Sequence, residues 1–207
     1  MRKDEEKPNS LIKKNKPYPE SRIKIDKEFR KLLEEKKFDS ITTAEIAKNA
    51  GVNEALIFRY FKSKRGLLYH VLTEFFQEFL VKIVADLKGI KGASNKIRKL
   101  IWSHINQHDN NRVFAKILLL EVRNFPEYFE TEHYELTKIY NKLVLDIIIE
   151  GVEEGQIRED LSASRIRNIL LGGIENLCLP GILRGSEINT DLLADELYDV
   201  IFNGVLK

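Results

Sequence analysis

One cysteine, Cys178, one methionine and one tryptophan occur in 207 residues. A lone cysteine excludes an internal disulfide framework and a multi-cysteine metal site, and reads as a small buried apolar residue. Five prolines and eleven glycines are too few for a turn-rich β sandwich, so long helices are expected. No stretch reads as long and apolar enough to cross a bilayer, and the charged start Met1-Arg2-Lys3-Asp4-Glu5-Glu6 does not resemble a secretory signal. The cytoplasm is the default expectation. What is present is an ordinary globular mixture, 43% hydrophobic and 32% charged.

The charge is unevenly spread. Residues 1–65 hold 18 Lys and Arg against 11 Asp and Glu, a surplus of seven positive charges. Residues 66–207 hold 16 against 21, a surplus of five negative. A basic end on an acidic body suits a first part that meets a polyanion.

Apolar periodicity gives an all-α reading with about nine helices. Residues 1–19 read as a mobile basic arm, 20–66 as a three-helix unit, and 67–207 as a helical bundle. Ser21 is expected to cap the first helix, which carries Ile25, Phe29, Leu32 and Leu33 at helical spacing. Thr42 stands three residues before Glu45, the capping-box spacing. Gly51 can take positive φ without steric cost, Asn53 can cap the next short helix, and Ser63 a long one. Further helices are expected at about 94–107, 112–124, 126–154, 162–179 and 190–206. Ser162 is expected to cap the helix after the 155–161 loop, and Pro180 to kink or end it.

Two short helices separated by a tight turn at Gly51 and braced by a third have helix-turn-helix geometry. Here the segment resembles the tetracycline-repressor (TetR) family of transcriptional regulators. The residues carrying the resemblance are Thr42-Thr43, Ile46-Ala47, Ala50-Gly51-Val52, Phe58-x-Tyr60-Phe61, Lys64 and Leu67, within 21–70. The resemblance implies phosphate contacts from Thr43, Tyr60 and Lys64. It puts Ala44, Glu54, Ala55 and Arg59 where base edges are read. Phe58 departs from the usual Tyr, Lys37 from a Gly, and Phe29 from a small residue.

The remainder is similar to the same family in length and helix order, which implies a DNA-binding domain at 20–66 and a ligand-binding and dimerisation domain at 67–207. Residues 117–123 and 150–157 look like a branch that regulates fatty-acid degradation and responds to long-chain acyl-coenzyme A. An apolar cavity is expected among Phe75, Phe79, Trp102, Ile105, Phe114, Leu118, Val122, Tyr140, Val144 and Ile148. Arg98, Lys99 and Arg123 are candidate partners for ligand phosphates. The family's pairing of the last two helices implies a dimer interface of Ile166, Leu170, Gly173, Leu177, Leu193, Leu197 and Ile201. His104 and His108 are four apart, but no further His or Cys lies near them in sequence, so no metal is expected. No nucleophile with a base points to catalysis, and no cofactor is expected. The reading is a repressor that binds a palindromic operator as a homodimer and is released by a small apolar effector. The alternatives are a regulator of a multidrug efflux gene answering hydrophobic cations or drugs, and a helical protein-binding adaptor.

Overall fold

The computed structural model describes residues 18–204, and among these there are nine α-helices and no strand. Most of the expected arm, and Val205 and Leu206 of the last expected helix, lie outside the described residues. Helix α1 (Glu20–Glu35) starts two residues earlier than a Ser21 cap would place it, with Pro19 at its N-cap. The Ser21 hydroxyl instead lies 2.9 Å from the Tyr60 hydroxyl. The other local signals act as the residue types dictate. Thr42 accepts from the Glu45 N–H at 3.1 Å and opens α2 (Thr43–Ala50). Gly51 closes α2 at φ 64°, ψ 37°, while the Val52 N–H reaches back to the Ala47 carbonyl, a Schellman-type stop. Asn53 accepts from the Ala55 N–H at 2.8 Å at the head of α3 (Ala55–Phe61), and Ser63 from Gly66 at 2.9 Å at the head of α4 (Lys64–Leu87).

The long α4 joins two cores. Leu67, Leu68, Val71 and Leu72 pack with Ile25, Phe29, Ile46 and Ile57 in the first. Phe79, Leu80, Ile83 and Leu87 enter the second, formed with α5 (Ala93–Asn110), α7 (Glu132–Glu153), α8 (Ala163–Arg184) and α9 (Thr190–Phe202). At 1.5 Å per residue α4 is about 36 Å long, enough to reach both.

Between α5 and α7 the chain is less regular than its apolar run suggests. After α6 (Arg112–Lys116) comes a π turn at Ile117–Glu121, then 3₁₀ turns at Val122–Asn124 and Pro126–Glu130. Thr131 then accepts from the Tyr134 N–H and starts α7 six residues after Pro126. Helix α8 runs through Pro180 to Arg184. Pro180 and Asn176, whose carbonyl it leaves without an intrahelical donor, are both exposed, so water can satisfy that group. Ser162 stands at the N-cap without a side-chain cap bond, its hydroxyl 2.9 Å from that of Ser164.

Helix α8 also corrects the expectation about hydrophobic length. It has 22 residues, an 18-residue window of which reaches mean hydropathy 1.2, so it is long and apolar enough to cross a membrane by length and composition alone. One face, Ile166, Leu170, Ile174, Cys178 and Ile182, is packed in the second core. The other leaves Ile169 63% exposed, with Leu177 and Leu183 also in the open. The helix is thus covered on one side and carries exposed apolar residues among Arg165, Asn168 and Asn176 on the other.

Candidate nucleic-acid interface and cavity

Helix α3 presents its outer face at the basic end of the molecule. Ala44, Ala55, Phe58 and Arg59 are exposed, and Lys62 follows at φ 70°, a left-handed value uncommon outside glycine. Beneath them Ile57 and Phe61 are buried, so the helix is held by its apolar edge while its polar edge faces out. Thr43 Oγ1 donates to Glu54 Oε1 at 2.5 Å, tying the start of α2 to the loop before α3. This bond occupies one carboxylate oxygen of Glu54 and orients the other. Tyr60, half-buried, sets its hydroxyl against Ser21.

Lys64 differs from its expected posture. Its Nζ donates to the carbonyls of Phe38 at 2.9 Å and Ile41 at 2.7 Å, and sits 4.3 Å from the Phe38 ring centre. Two of its three donors are therefore spent fastening the connector between α1 and α2 to α4. Next to it, the Arg65 guanidinium stacks 3.6 Å from the ring centre of Phe125 and 3.9 Å from Glu121. The segment 117–125 thereby touches the first turn of α4.

The same segment borders a cavity of about 290 Å³ between the two cores, with Leu118 and Tyr128 from the first and Phe76, Tyr140 and Leu171 from the second. Leu118, Phe76 and Leu171 supply its apolar wall. Arg123, Glu175, Thr137, Asn141, Asn168, Tyr128 and Tyr140 supply polar groups. An apolar compartment of about 40 Å³, lined by Phe75, Phe79, Phe114 and Ala115, shares with it the residues Phe76, His104, His108 and Leu118. Phe75 and Phe114 are stacked at 4.9 Å. Arg123 donates twice to Glu175, at 2.9 and 2.7 Å, and this pairing raises its pKa.

Three histidines stand around these spaces. His104 Nδ1 is 3.1 Å from the Tyr140 hydroxyl, and His133 Nδ1 is 2.9 Å from that of Tyr128. His108 is 5% exposed and its Nε2 has no hydrogen-bond partner. Burial pushes the His108 and His133 pKa values down to about 4 and drives that of His104 well below normal. Burial likewise pushes the Cys178 thiol up to about 12, an inert apolar residue at neutral pH. Among the described residues no group of three or more His, Cys, Asp or Glu side chains could hold a metal ion.

The expected cavity list is corrected in part. Phe75, Phe79, Phe114, Leu118 and Tyr140 line these two spaces. Ile105, Val122, Val144 and Ile148 do not, being 0–1% exposed and filled in among neighbours. Trp102 lies at a separate shallow dent and donates to Asp191. Of the proposed phosphate partners only Arg123 reaches the cavity. Arg98 pairs with Asp195 and Asp199, and Lys99 with Asp86.

The dimer list is corrected too. Leu170 and Leu197 are 1% and 7% exposed within their own subunit and face its core, whereas Ile166, 7% exposed, and Ile201 line an outer groove. Leu193 and Ile201 are partly buried against the same core. Gly173 admits Leu197, whose Cδ1 would lie 2.8 Å from an added Cβ. Only Leu177 of that list is exposed. On the outer side, Ile169 of α8 and Val200 of α9 border one groove with Leu161, about 460 Å³ in volume.

A helix-turn-helix head with an exposed reading helix, carried by a helical body with a cavity, defines a DNA-binding regulator. Residues 29–71 match the family described as bacterial regulatory proteins, tetR family, and residues 72–204 match the YsiA-like protein, C-terminal region. The chain belongs to the TetR family of transcriptional regulators. The fatty acid metabolism regulator protein of Bacillus subtilis (strain 168) is 23% identical over 174 residues, 84% of this chain and 90% of that protein. The structure of the regulator FadR from Bacillus subtilis in complex with stearoyl-CoA superposes with TM-score 0.79 at 23% identity, covering 89% of this chain and 99% of the other. The fatty acid degradation regulator FadR from Bacillus halodurans gives TM-score 0.78 at 20% identity, covering 91% and 97%. At these identities the structural likeness is one of fold.

Proposed function

We propose that the protein binds a near-palindromic operator as a homodimer and leaves it when an acyl-coenzyme A occupies the cavity. The observation that carries the reading is the segment 117–125, which borders the cavity through Leu118 and Arg123 and grips the α4 start through Arg65. A ligand that parts Arg123 from Glu175 shifts this segment, and with it the head. It shifts the equilibrium only if it favours the DNA-incompetent arrangement. Residues 20–66 are the reading unit and 67–207 the sensing and pairing unit. Arg59 reads a base or a phosphate, the Ala44 and Ala55 methyls meet thymine, and Glu54 accepts from a cytosine amine. Thr43 and Tyr60 approach phosphates, and the Lys64 role passes mainly to fastening the fold. The pairing face is the outer side of α8 and α9, around Ile169, Leu177 and Val200.

The relatives' regulation of fatty acid metabolism, and stearoyl-CoA on one of them, support the effector class. The efflux reading is weaker, because Glu175, the carboxylate of the larger cavity, is already held by Arg123. The adaptor reading has no use for an exposed reading helix beside a basic surface.

The test combines duplex selection with sedimentation. The wild type should enrich a near-palindrome and sediment as a dimer. Ile169→Glu with Val200→Glu should give a folded monomer without tight operator binding. A double variant that stays dimeric and binds normally would reject this face, and enrichment of no duplex would reject the operator.

A further inference from the structure

We infer that His108 donates its Nε2–H to the carbonyl oxygen of an acyl thioester bound across the two compartments. The inference deepens the proposed effector response and rests on it. A buried nitrogen without a partner costs free energy that the fold does not recover, and such groups call for a reason. His108 Nε2 is such a group. The other two histidines at these spaces each set Nδ1 against a tyrosine hydroxyl.

Position gives the reason. His108 borders both the phenylalanine-lined compartment and the larger polar one. An acyl thioester has the same order of parts: an apolar chain, one neutral carbonyl, then a polar head. With the chain toward Phe79 and Phe114 and the head toward Arg123, Asn141 and Asn168, the carbonyl falls at the boundary, beside His108. A long chain must part the stacked Phe75 and Phe114, because the apolar compartment is small. Burial keeps the imidazole neutral at pH 7, and a neutral donor suits a neutral carbonyl.

The test compares two ligands that differ only at the carbonyl: dodecanoyl-coenzyme A and the thioether S-dodecyl-coenzyme A. Calorimetric titration of the wild-type protein should show the thioester binding roughly tenfold tighter. His108→Leu, which replaces a neutral buried ring by an apolar side chain, should bring the two within about twofold while leaving thermal unfolding unimpaired. His108→Gln, which keeps an N–H donor, should retain part of the gap. Equal binding of both ligands by the wild type overturns the inference alone, as does a full gap in His108→Leu. Binding of neither ligand overturns the acyl-thioester effector and this inference together. If His108→Leu does not fold, the wild-type ratio and His108→Gln decide: loss of the gap in His108→Gln then counts against a simple N–H donor.

Discussion

The two cores of this protein are built to opposite specifications. The one under the reading helix is sealed: Ile25, Phe29, Ile46, Ile57, Leu67 and Leu68 are all fully buried, and Lys64 is turned inward to lock a connector. The one in the body adjoins buried His108 and His133, an Arg123–Glu175 pair, a π turn and open volume. A head that must hold side chains in register on DNA gains from rigid packing. A body that must admit a ligand has to keep polar groups and space inside, at a cost in stability. π turns recur at functional sites, and here one borders the cavity while its flank meets the head.

This contrast can be broken most forcefully in the sealed core. Phe29→Ala removes a fully buried ring that meets Phe38 edge-on at 6.4 Å, and should cost about 3–5 kcal/mol. Denaturant unfolding checks the loss, and operator binding should vanish with it. A loss under 1 kcal/mol, about the scale of a single methylene, would mean the head is not tightly packed.

Acid should act on the body instead. His108 and His133 have folded pKa values of about 4, below an ordinary value near 6.5. Above pH 6.5 both are neutral in the folded and the unfolded chain, so they add no pH dependence there. As the pH falls below that, the unfolded chain takes up protons that the folded body refuses, so stability declines until about pH 4, where both states are protonated. Each group contributes up to about 3 kcal/mol of this decline, at roughly 1.4 kcal/mol per pKa unit. Unfolding measured at several pH values should show the slope, and His133→Phe should flatten it. A flat profile between pH 6.5 and 4 would contradict the buried neutral state.

A smaller effect sharpens the reassignment of Lys64. Lys64→Ala removes two hydrogen bonds to carbonyls and should lower stability by about 1.5 kcal/mol. The salt dependence of DNA binding should barely change, because the ammonium is turned inward. Arg59→Ala, at an exposed position, should leave stability unchanged and either relax base choice or reduce the salt slope by about one. A Lys64→Ala variant with unaltered stability and a shallower salt slope would restore its phosphate role.

The head was the more legible region because its signals are local. Thr42, Gly51, Asn53 and Ser63 each act on a backbone group within five residues, so spacing alone determines what they do. Ser21 failed as a cap because a contact 39 residues away, with Tyr60, claimed its hydroxyl. The inward turn of Lys64 likewise depends on carbonyls more than twenty residues away. The cavity draws on five segments, and apolar periodicity cannot separate a lining residue from a filled position such as Ile148. A signal did exist: Thr137, Tyr140 and Asn141 on α7, and Asn168, Gly172 and Glu175 on α8, recur at helical spacing as polar or small stripes within apolar helices. On α8 and α9 apolar residues also stand on the outer side, Ile169, Leu177, Leu192 and Val200 among polar neighbours, so periodicity could not say which apolar residues the subunit's own core covers.

Under the proposed function residues 117–125 join the two regions, and filling the body frees the head from DNA. The direct measurement is fluorescence anisotropy of a labelled operator held by the protein, titrated with acyl-coenzyme A of increasing chain length. Release at about micromolar ligand is expected, growing with chain length as burial adds about 0.8 kcal/mol per methylene, with free coenzyme A inert. An operator that stays bound at every chain length from about eight to eighteen carbons, over which that burial should accumulate, would contradict it.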